Sequence, residues 1–411
     1  MLFKESIKRF TPPKGWSWGS IDDVAKLSFS SVDKKSVEGE NAVRLCNYMD
    51  VFYNRRIREG MPFMVSTASD SDIKKFTLNK GDVVLTKDSE TPEEIAFAAV
   101  IDEQIDNLVC GYHLAVLRPD KSKVTGEYLM SAINFHPNHH QFIRLANGAT
   151  RFGLGIDSLN NALLPIPPLA EQRRIAAILR TWDEAIETAE AELKAKQERK
   201  RWLTVSLIFS KGMGAKSKAH KYVPIGDFMR EDVDSVDPSQ SPDEHFELWS
   251  IPAHDKGVAD YVKGFQVGSH KKLVNPGDVL ISKIVPHIQR SRVVGRSERK
   301  CRVIASTEWI VFGGGKIEAE YLREVLISED FHRKFMETIT GVGGSLARAN
   351  VKAVAKIKIP FPSIEEQRKI ANVLLCADAD ASAIARRVES LRTQKRGLMQ
   401  KLLTGEVRVA A

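Results

Sequence analysis

The sequence has few cysteines and no long apolar run. Four cysteines stand far apart among its 411 residues without any Cys-x-x-Cys pair: Cys46, Cys110, Cys301 and Cys376. This spacing supports neither a zinc site nor a disulfide framework, so we expect reduced thiols. No segment reaches the roughly 18 apolar residues of a membrane span, and the charged first residues are unlike a signal peptide. These absences predict a cytoplasmic protein without a membrane anchor.

Motifs for catalysis are also lacking. The run Gly-Gly-Gly-Lys at residues 313 to 316 has neither the spacing nor the following Ser or Thr of a phosphate-binding loop. The turn Asn-Pro-Gly-Asp at 275 to 278 differs from the Asn-Pro-Pro-aromatic motif that positions a base for amino methylation. His136, His139 and His140 surround a proline without a nearby carboxylate or cysteine, and we interpret them as a solvated helix end. We therefore predict a non-catalytic chain with no metal and no cofactor of its own.

The charge balance is basic. The chain has 61 Lys and Arg against 53 Asp and Glu, which gives a net charge of +8 and an isoelectric point near 9.1. Such a balance favours a polyanionic partner such as nucleic acid, but it also suits a merely basic surface.

The most informative feature present is a repeat. Pro-Ile-Pro-Pro-Leu-Ala-Glu-Gln-Arg-Arg-Ile-Ala starts at Pro165, and Pro-Phe-Pro-Ser-Ile-Glu-Glu-Gln-Arg-Lys-Ile-Ala starts at Pro360, about 195 residues later. Each copy opens about 40 residues of helical periodicity. A repeat of this length predicts two equivalent units, each followed by a long helix of roughly 60 Å.

Both predicted helices contain apolar residues at alternating spacings of four and three, which is typical of a coiled-coil seam. The seam consists of Ile175, Leu179, Trp182, Ile186, Leu193, Leu203 and Leu207 in the first helix and of Ile370, Leu374, Ile384, Val388, Leu391, Leu398 and Leu402 in the second. Acidic residues precede basic ones in each helix, so an antiparallel pair places opposite charges together. We predict an antiparallel coiled coil with pseudo-two-fold symmetry. The alternative is two separate amphipathic helices, each lying on its own domain.

The segments before the helices resemble each other more faintly. Gly-Asp-Val leads into a β-branched strand at 81 and again at 277, further strands are expected at 108 to 117 and 303 to 312, and helices at 127 to 136 and 318 to 338. Gly-rich loops follow at 147 to 153 and 340 to 348. We predict an α+β (mixed α/β) fold with domains at 1 to 168 and 213 to 363, followed by helical regions at 169 to 212 and 364 to 411.

The doubled Pro-x-Pro-x-x-x-Glu-Gln-x-x-Ile-Ala pattern, in which each copy opens a helix that ends near a glycine, resembles the specificity subunit of type I restriction-modification enzymes. The resemblance covers essentially the whole chain. It implies two target recognition domains, each binding one half of a split double-stranded DNA sequence, and helices that set the spacer and dock methyltransferase (modification) subunits, of which two are expected. Restriction subunits would join through the larger complex, and S-adenosylmethionine, ATP and Mg would belong to the partner subunits.

Long donor side chains on loops near the strands are the candidate DNA contacts. They are Lys87, Arg144, Thr150 and Arg151 in the first domain and Lys283, Gln289, Arg290, Arg292, Ser345 and Arg348 in the second. Arg and Gln can bond base edges, whereas Lys, Ser and Thr usually hold phosphates. Each is as compatible with an ordinary surface residue as with a DNA contact. Two other functions stay open: a coiled-coil scaffold that does not bind DNA, and a fused enzyme, against which the missing catalytic motifs argue.

Overall fold

The computed structural model describes residues 12–209, 220–230, 233–313, 315–340 and 347–409. The chain forms two compact units. The first unit contains the residues up to Ala189 and those from Arg387 onward, and the second unit contains Glu190 to Arg386. The predicted mixed α/β class is confirmed, whereas the division into recognition domains at 168 and 363 stays a prediction.

A five-stranded sheet forms the centre of the first unit. Its strands, in spatial order, are Ala25–Phe29, Leu114–Pro119, Val83–Thr86, Ala98–Ile101 and Arg56–Ile57. Smaller sheets join Met64–Ala68, Asn41–Cys46 and Leu108–Cys110, pair Ser17–Ser20 with Leu163–Ile166, and pair Asp88–Ser89 with Phe152–Gly153. Val83–Thr86 and Ala98–Ile101 are buried at every position, because their apolar residues contribute to cores on both faces of the sheet.

Short helices cover the sheets of the first unit. They are Ile21–Val24, Tyr48–Tyr53, Asp70–Phe76, Gly126–Asn134, His136–Leu145 and Ile156–Asn160, with a 3-10 turn at Pro92–Glu94. Pro137 lies in the first turn of its helix, where the missing N–H leaves no hydrogen bond unmade. The interpretation of this segment as a solvated helix end is wrong for His139, which is buried with its Nε2 2.6 Å from Ile95 O.

The second unit contains a five-stranded sheet and a three-stranded sheet. The first has the order Ser235–Val236, Lys271–Leu273, Arg302–Ala305, His245–Trp249 and Asp260–Lys263, and the second the order Ser291–Val293, Val279–Ser282 and Trp309–Phe312. Two-stranded pairs form between Lys221–Pro224 and Lys358–Phe361 and between Ile339–Thr340 and Arg348–Ala349. The short helices of this unit are Ile251–Asp255, Ala319–Leu326, Glu329–Met336 and Val351–Val354. Its 3-10 turns are Ile225–Phe228, Pro238–Gln240 and Gly264–Gln266.

The repeated glutamines form hydrogen bonds between each long helix and the domain that precedes it. Gln172 is fully buried, accepts a hydrogen bond from the backbone N–H of Thr125 at 2.9 Å and donates to Pro167 O at 2.9 Å. Gln367 is equally buried, accepts from the backbone N–H of Glu318 at 2.8 Å and donates to Pro362 O at 2.9 Å. Both amides therefore satisfy buried backbone groups, which explains why the repeat retains glutamine here.

The long helices are Leu169–Thr204, which continues into a π-helical turn at Val205–Phe209, and Ile364–Leu403. All predicted seam residues are buried or half-buried. In the first unit, Ile175 and Leu179 share a core with Leu402, so the start of the first helix lies beside the end of the second. In the second unit, Leu207 shares a core with Ile370, so the end of the first lies beside the start of the second. The pairing within each unit is antiparallel, and the alternative of separate helices is excluded.

Candidate nucleic-acid interface

Three chain segments meet in the first unit just after the strand Val83–Thr86. The backbone N–H of Lys87 donates to His113 O at 3.1 Å, and that of Leu154 donates to Lys87 O at 2.9 Å. Asp88 pairs with Gly153 in the two-stranded sheet. This backbone frame therefore brings the predicted Gly-rich loop beside Lys87 and Asp88.

Gly148 permits the turn of that loop. Its φ of +146° lies in a region that L side chains rarely adopt, and a Cβ there would stand only 1.8 Å from Arg151 O. Thr150 and Arg151 follow the turn and are exposed, and Arg144 is exposed on the helix His136–Leu145. The loop thus presents two of the predicted contacts at the surface.

Lys87 has a different environment from the one expected of a phosphate ligand. It is only 8% exposed, its Nζ donates to Asp88 Oδ2 at 2.9 Å, and it lies 4.6 Å from the centroid of the Tyr112 ring. The same Asp88 oxygen is 3.1 Å from His113 Nδ1. Lys87 and His113 therefore orient Asp88.

A cleft of about 360 Å³ opens beside this group. Its lining includes the aromatic residues Tyr48 and Tyr53, the carboxylates Asp88, Glu90 and Glu94, and the side chains of His113 and Arg151. Burial and the adjacent Glu94 and Glu90 carboxylates raise the pKa of Tyr48 to about 12. Its hydroxyl stays protonated and donates to Glu94 O at 3.2 Å.

The second unit repeats the backbone frame with other side chains. The N–H of Lys283 donates to Glu308 O at 2.9 Å, and that of Ala349 donates to Lys283 O at 2.8 Å. Ile284 forms a bridge with Arg348, in the places of Asp88 and Gly153. The Arg348 guanidinium lies 3.1 Å from Glu308. Equivalent backbone positions thus share a lysine, but they carry an Asp and a His in one unit and an Arg and Glu pair in the other.

The other predicted contacts of the second unit differ in exposure. Arg290 makes two hydrogen bonds to Asp255, at 2.7 and 2.8 Å, and its side chain is 10% exposed. Arg292 is half-buried with its guanidinium carbon 3.1 Å from the centroid of the Trp249 ring, and burial beside Arg323 lowers its pKa to about 10. Gln289 is exposed, Lys283 is half-buried, and Ser345 lies outside the described residues.

Sequence reasoning missed several residues of the cleft. Asp88, His113 and Tyr53 were not among the residues predicted to contact DNA. The exposure of Tyr53, at 72%, is the signal that sets it apart, and only the structure supplies it. Asp82 and Asp278 instead accept hydrogen bonds from the backbone N–H groups of Asn79 and Asn275, as expected for turn residues.

Within the described part of the chain, no group of three His, Cys, Asp or Glu side chains is arranged to hold a metal ion. In the same part, no helix is long and apolar enough to cross a membrane.

Comparison with known families decides between the classes of function left open. Residues 13–197 and 238–388 each match the type I restriction modification DNA specificity domain. The chain belongs to this family. Its role is DNA sequence specificity in a type I restriction-modification system, and specificity subunits are not the catalytic ones. The comparisons give no support to a scaffold that does not bind DNA.

Two relatives come from Methanocaldococcus jannaschii. The chain is 25% identical to the type I restriction enzyme MjaX specificity subunit over 366 residues, which cover 84% of this chain and 83% of that protein. It is also 25% identical to the type I restriction enzyme MjaVIII specificity subunit over 274 residues, 61% of this chain and 63% of that protein.

Solved structures show the same fold. A type I restriction-modification S subunit from M. genitalium aligns with a TM-score of 0.58 at 16% identity, over 94% of this chain and 96% of that one. A chain from a study of complex assembly and conformational transition of the type I R-M system aligns with a TM-score of 0.56 at 17% identity, over 97% of this chain and 100% of that one.

Proposed function

We propose that the two units bind the two halves of one bipartite, asymmetric double-stranded DNA target. The observation that carries this proposal is the shared backbone frame with different chemistry. Lys87 and Lys283 make equivalent backbone bonds, but their neighbours are Asp88 and His113 in one unit and Glu308 and Arg348 in the other. Since hydrogen-bonding groups read base edges, unlike groups in like places imply two unlike half-sites.

The predicted DNA contacts divide by their environment. Thr150, Arg151, Arg144 and Gln289 are exposed, so their side chains can reach bases or phosphates. Arg290 and Arg348 are oriented by carboxylates, which fixes the guanidinium forks before DNA arrives. We propose that Lys87, Lys283 and Arg292, which are buried or half-buried, support these surfaces from below, whereas Ser345 stays a predicted DNA contact.

The long helices would set the spacer and dock methyltransferase subunits. Support comes from exposed residues that the repeat retains although burial does not require them. Arg173 and Arg174 on the first helix correspond to Arg368 and Lys369 on the second, and all four are exposed. A surface that occurs twice suits two copies of one partner, so we propose two methyltransferase subunits.

Restriction subunits would join through the assembled complex. S-adenosylmethionine, ATP and Mg would bind to the partner subunits rather than to this chain. Because its proposed ligand is the DNA of the cell, we assign the protein to the cytoplasm.

The test is the methylated motif that the assembled complex produces. The chain is co-expressed with its methyltransferase subunit, and methylated adenines are mapped by sequencing a plasmid library with random inserts. We expect a motif of two unlike halves separated by unread bases. One contiguous motif, or two identical halves, would contradict the proposal. Loss of non-specific duplex binding with rising salt provides a second check, because a protein scaffold without phosphate contacts lacks that dependence.

A further inference from the structure

The cleft of the first unit offers one oriented hydrogen-bond acceptor. Both bonds to Asp88 end on its Oδ2, from Lys87 Nζ and His113 Nδ1. Oδ1 accepts no bond from any described residue. It lies 3.4 Å from the position that a Cβ on Gly153 would take, so the absence of a side chain there leaves space beside this oxygen. Asp88 thus has one oxygen held in place and one available to a ligand.

A donor lines the same cleft. Arg151 is exposed and precedes the strand Phe152–Gly153, which pairs with Asp88–Ser89. No ion pair between Arg151 and Asp88 is present in the described structure, so the guanidinium is not neutralised by this carboxylate. An acceptor on one strand and a fork of donors just before the neighbouring strand therefore line one cleft.

The charge of the cleft favours a base over a phosphate. Glu90 and Glu94 line the same cleft as Asp88, and these three carboxylates outnumber the cations Lys87 and Arg151, so the cleft disfavours an anion and suits the amino group of a base. The lining also includes exposed apolar side chains, Tyr53 at 72% and Met49 at 55%. Such side chains can cover base edges without adding charge.

We propose that this cleft reads one C·G base pair of the half-site bound by the first unit, with Asp88 Oδ1 accepting from the cytosine N4 amino group and Arg151 donating to guanine O6 and N7. In the major groove a C·G pair presents that amino donor next to those two acceptors, so one base pair matches both side chains. The inference rests on the proposed function and adds to it the base pair and the residues that read it.

The experiment uses the complete chain co-expressed with its methyltransferase subunit and the plasmid library with random inserts. Asp88→Asn keeps the size of the side chain but adds an amide donor and removes the charge. Arg151→Lys keeps the charge but removes the fork. Each variant should reduce discrimination at the same C·G position by roughly 5- to 150-fold, the effect of one good base contact. The other half of the motif should stay unchanged, which shows that the variants are folded and assembled.

Glu59→Gln is the matched control, because Glu59 is a carboxylate of the same unit that pairs with Arg44 at 2.7 Å and does not line the cleft. It should leave the motif unchanged. The inference is overturned if both cleft variants keep the wild-type motif, if they relax different positions, or if the relaxed position is not C·G. A wild-type motif without two unlike halves would instead refute the proposed function, and the inference with it.

Discussion

The ammonium group of Lys200 lies 2.6 Å from the carboxylate of Asp378 on the opposite long helix. Lys395 makes the corresponding ion pair with Asp183. Lys395 follows Lys200, and Asp378 follows Asp183, at the same separation of about 195 residues as the two copies of the repeat. Each copy of the helix thus supplies the lysine of one pair and the aspartate of the other, an exchange that antiparallel pairing of equivalent helices produces.

Lys200 should stabilise the second unit because it also lies 3.1 Å from Glu324, whose side chain is only 1% exposed. Lys200→Met leaves Arg323 as the remaining cation beside both carboxylates, at 2.5 Å from Glu324 and 3.7 Å from Asp378, and we expect a loss of about 1 to 3 kcal/mol in the free energy of unfolding. Thermal or urea unfolding measures it. Lys194→Met, at an exposed position of the same helix, is the control and should have little effect. Additive losses in a double-mutant cycle with Asp378→Asn would contradict the pairing.

The repeated glutamines should stabilise the folded chain although their side chains are polar, because they are the hydrogen-bond partners of buried backbone groups. Gln172→Ala and Gln367→Ala each leave buried backbone groups without a partner, at a cost of about 1 to 3 kcal/mol. Unfolding curves should show this loss for both variants. Gln197→Ala, on an exposed part of the first long helix, serves as the control. Equal stability of all three variants would refute the assigned role.

Stability of the first unit should depend on pH through Glu171. Hydrogen bonds from Arg408, at 2.8 and 2.9 Å, and from Trp16, at 2.9 Å, hold the pKa of Glu171 below its usual value near 4.5. A lowered pKa stabilises the folded state above the unfolded pKa, and this stabilisation is lost as the pH falls through the folded one.

The stability difference between wild type and Glu171→Gln should therefore be largest at neutral pH and shrink below about pH 4.5. Urea unfolding over a pH series measures it. Glu365→Gln, at an exposed position of the second long helix, should give a small difference throughout. A Glu171→Gln difference that does not change with pH would show that this carboxylate is not held by Arg408.

The periodicity of the sequence was sufficient to predict the long helices, because apolar residues at one sustained helical spacing fit few other secondary structures. It was insufficient where a turn interrupts a uniform apolar pattern. The expected strand at 108 to 117 is two strands, Leu108–Cys110 and Leu114–Pro119, separated by a turn at Gly111. The expected helix at 318 to 338 is divided at Ser328, whose hydroxyl caps Phe331 N–H and starts a new helix.

The candidate site was less predictable than the fold. Arg151 and the Gly-rich loop followed from residue types, since glycine and exposed basic residues indicate a surface loop. The fixed carboxylate of Asp88 did not, because Lys87 and His113 reach it only through pairing between distant strands. Contacts between residues far apart in sequence leave no periodic signal in one chain.

Exchange of residues 225 to 357 for the matching segment of a relative with a different target tests the central claim most directly. The splice points keep the strands Lys221–Pro224 and Lys358–Phe361, which pair with each other, in the recipient chain. Methylated adenines are then mapped in the complex with the methyltransferase subunit. We predict that one half of the motif changes to that of the donor while the other half is retained. An unchanged motif, or a change in both halves, in a folded and assembled complex would contradict independent reading by the two units.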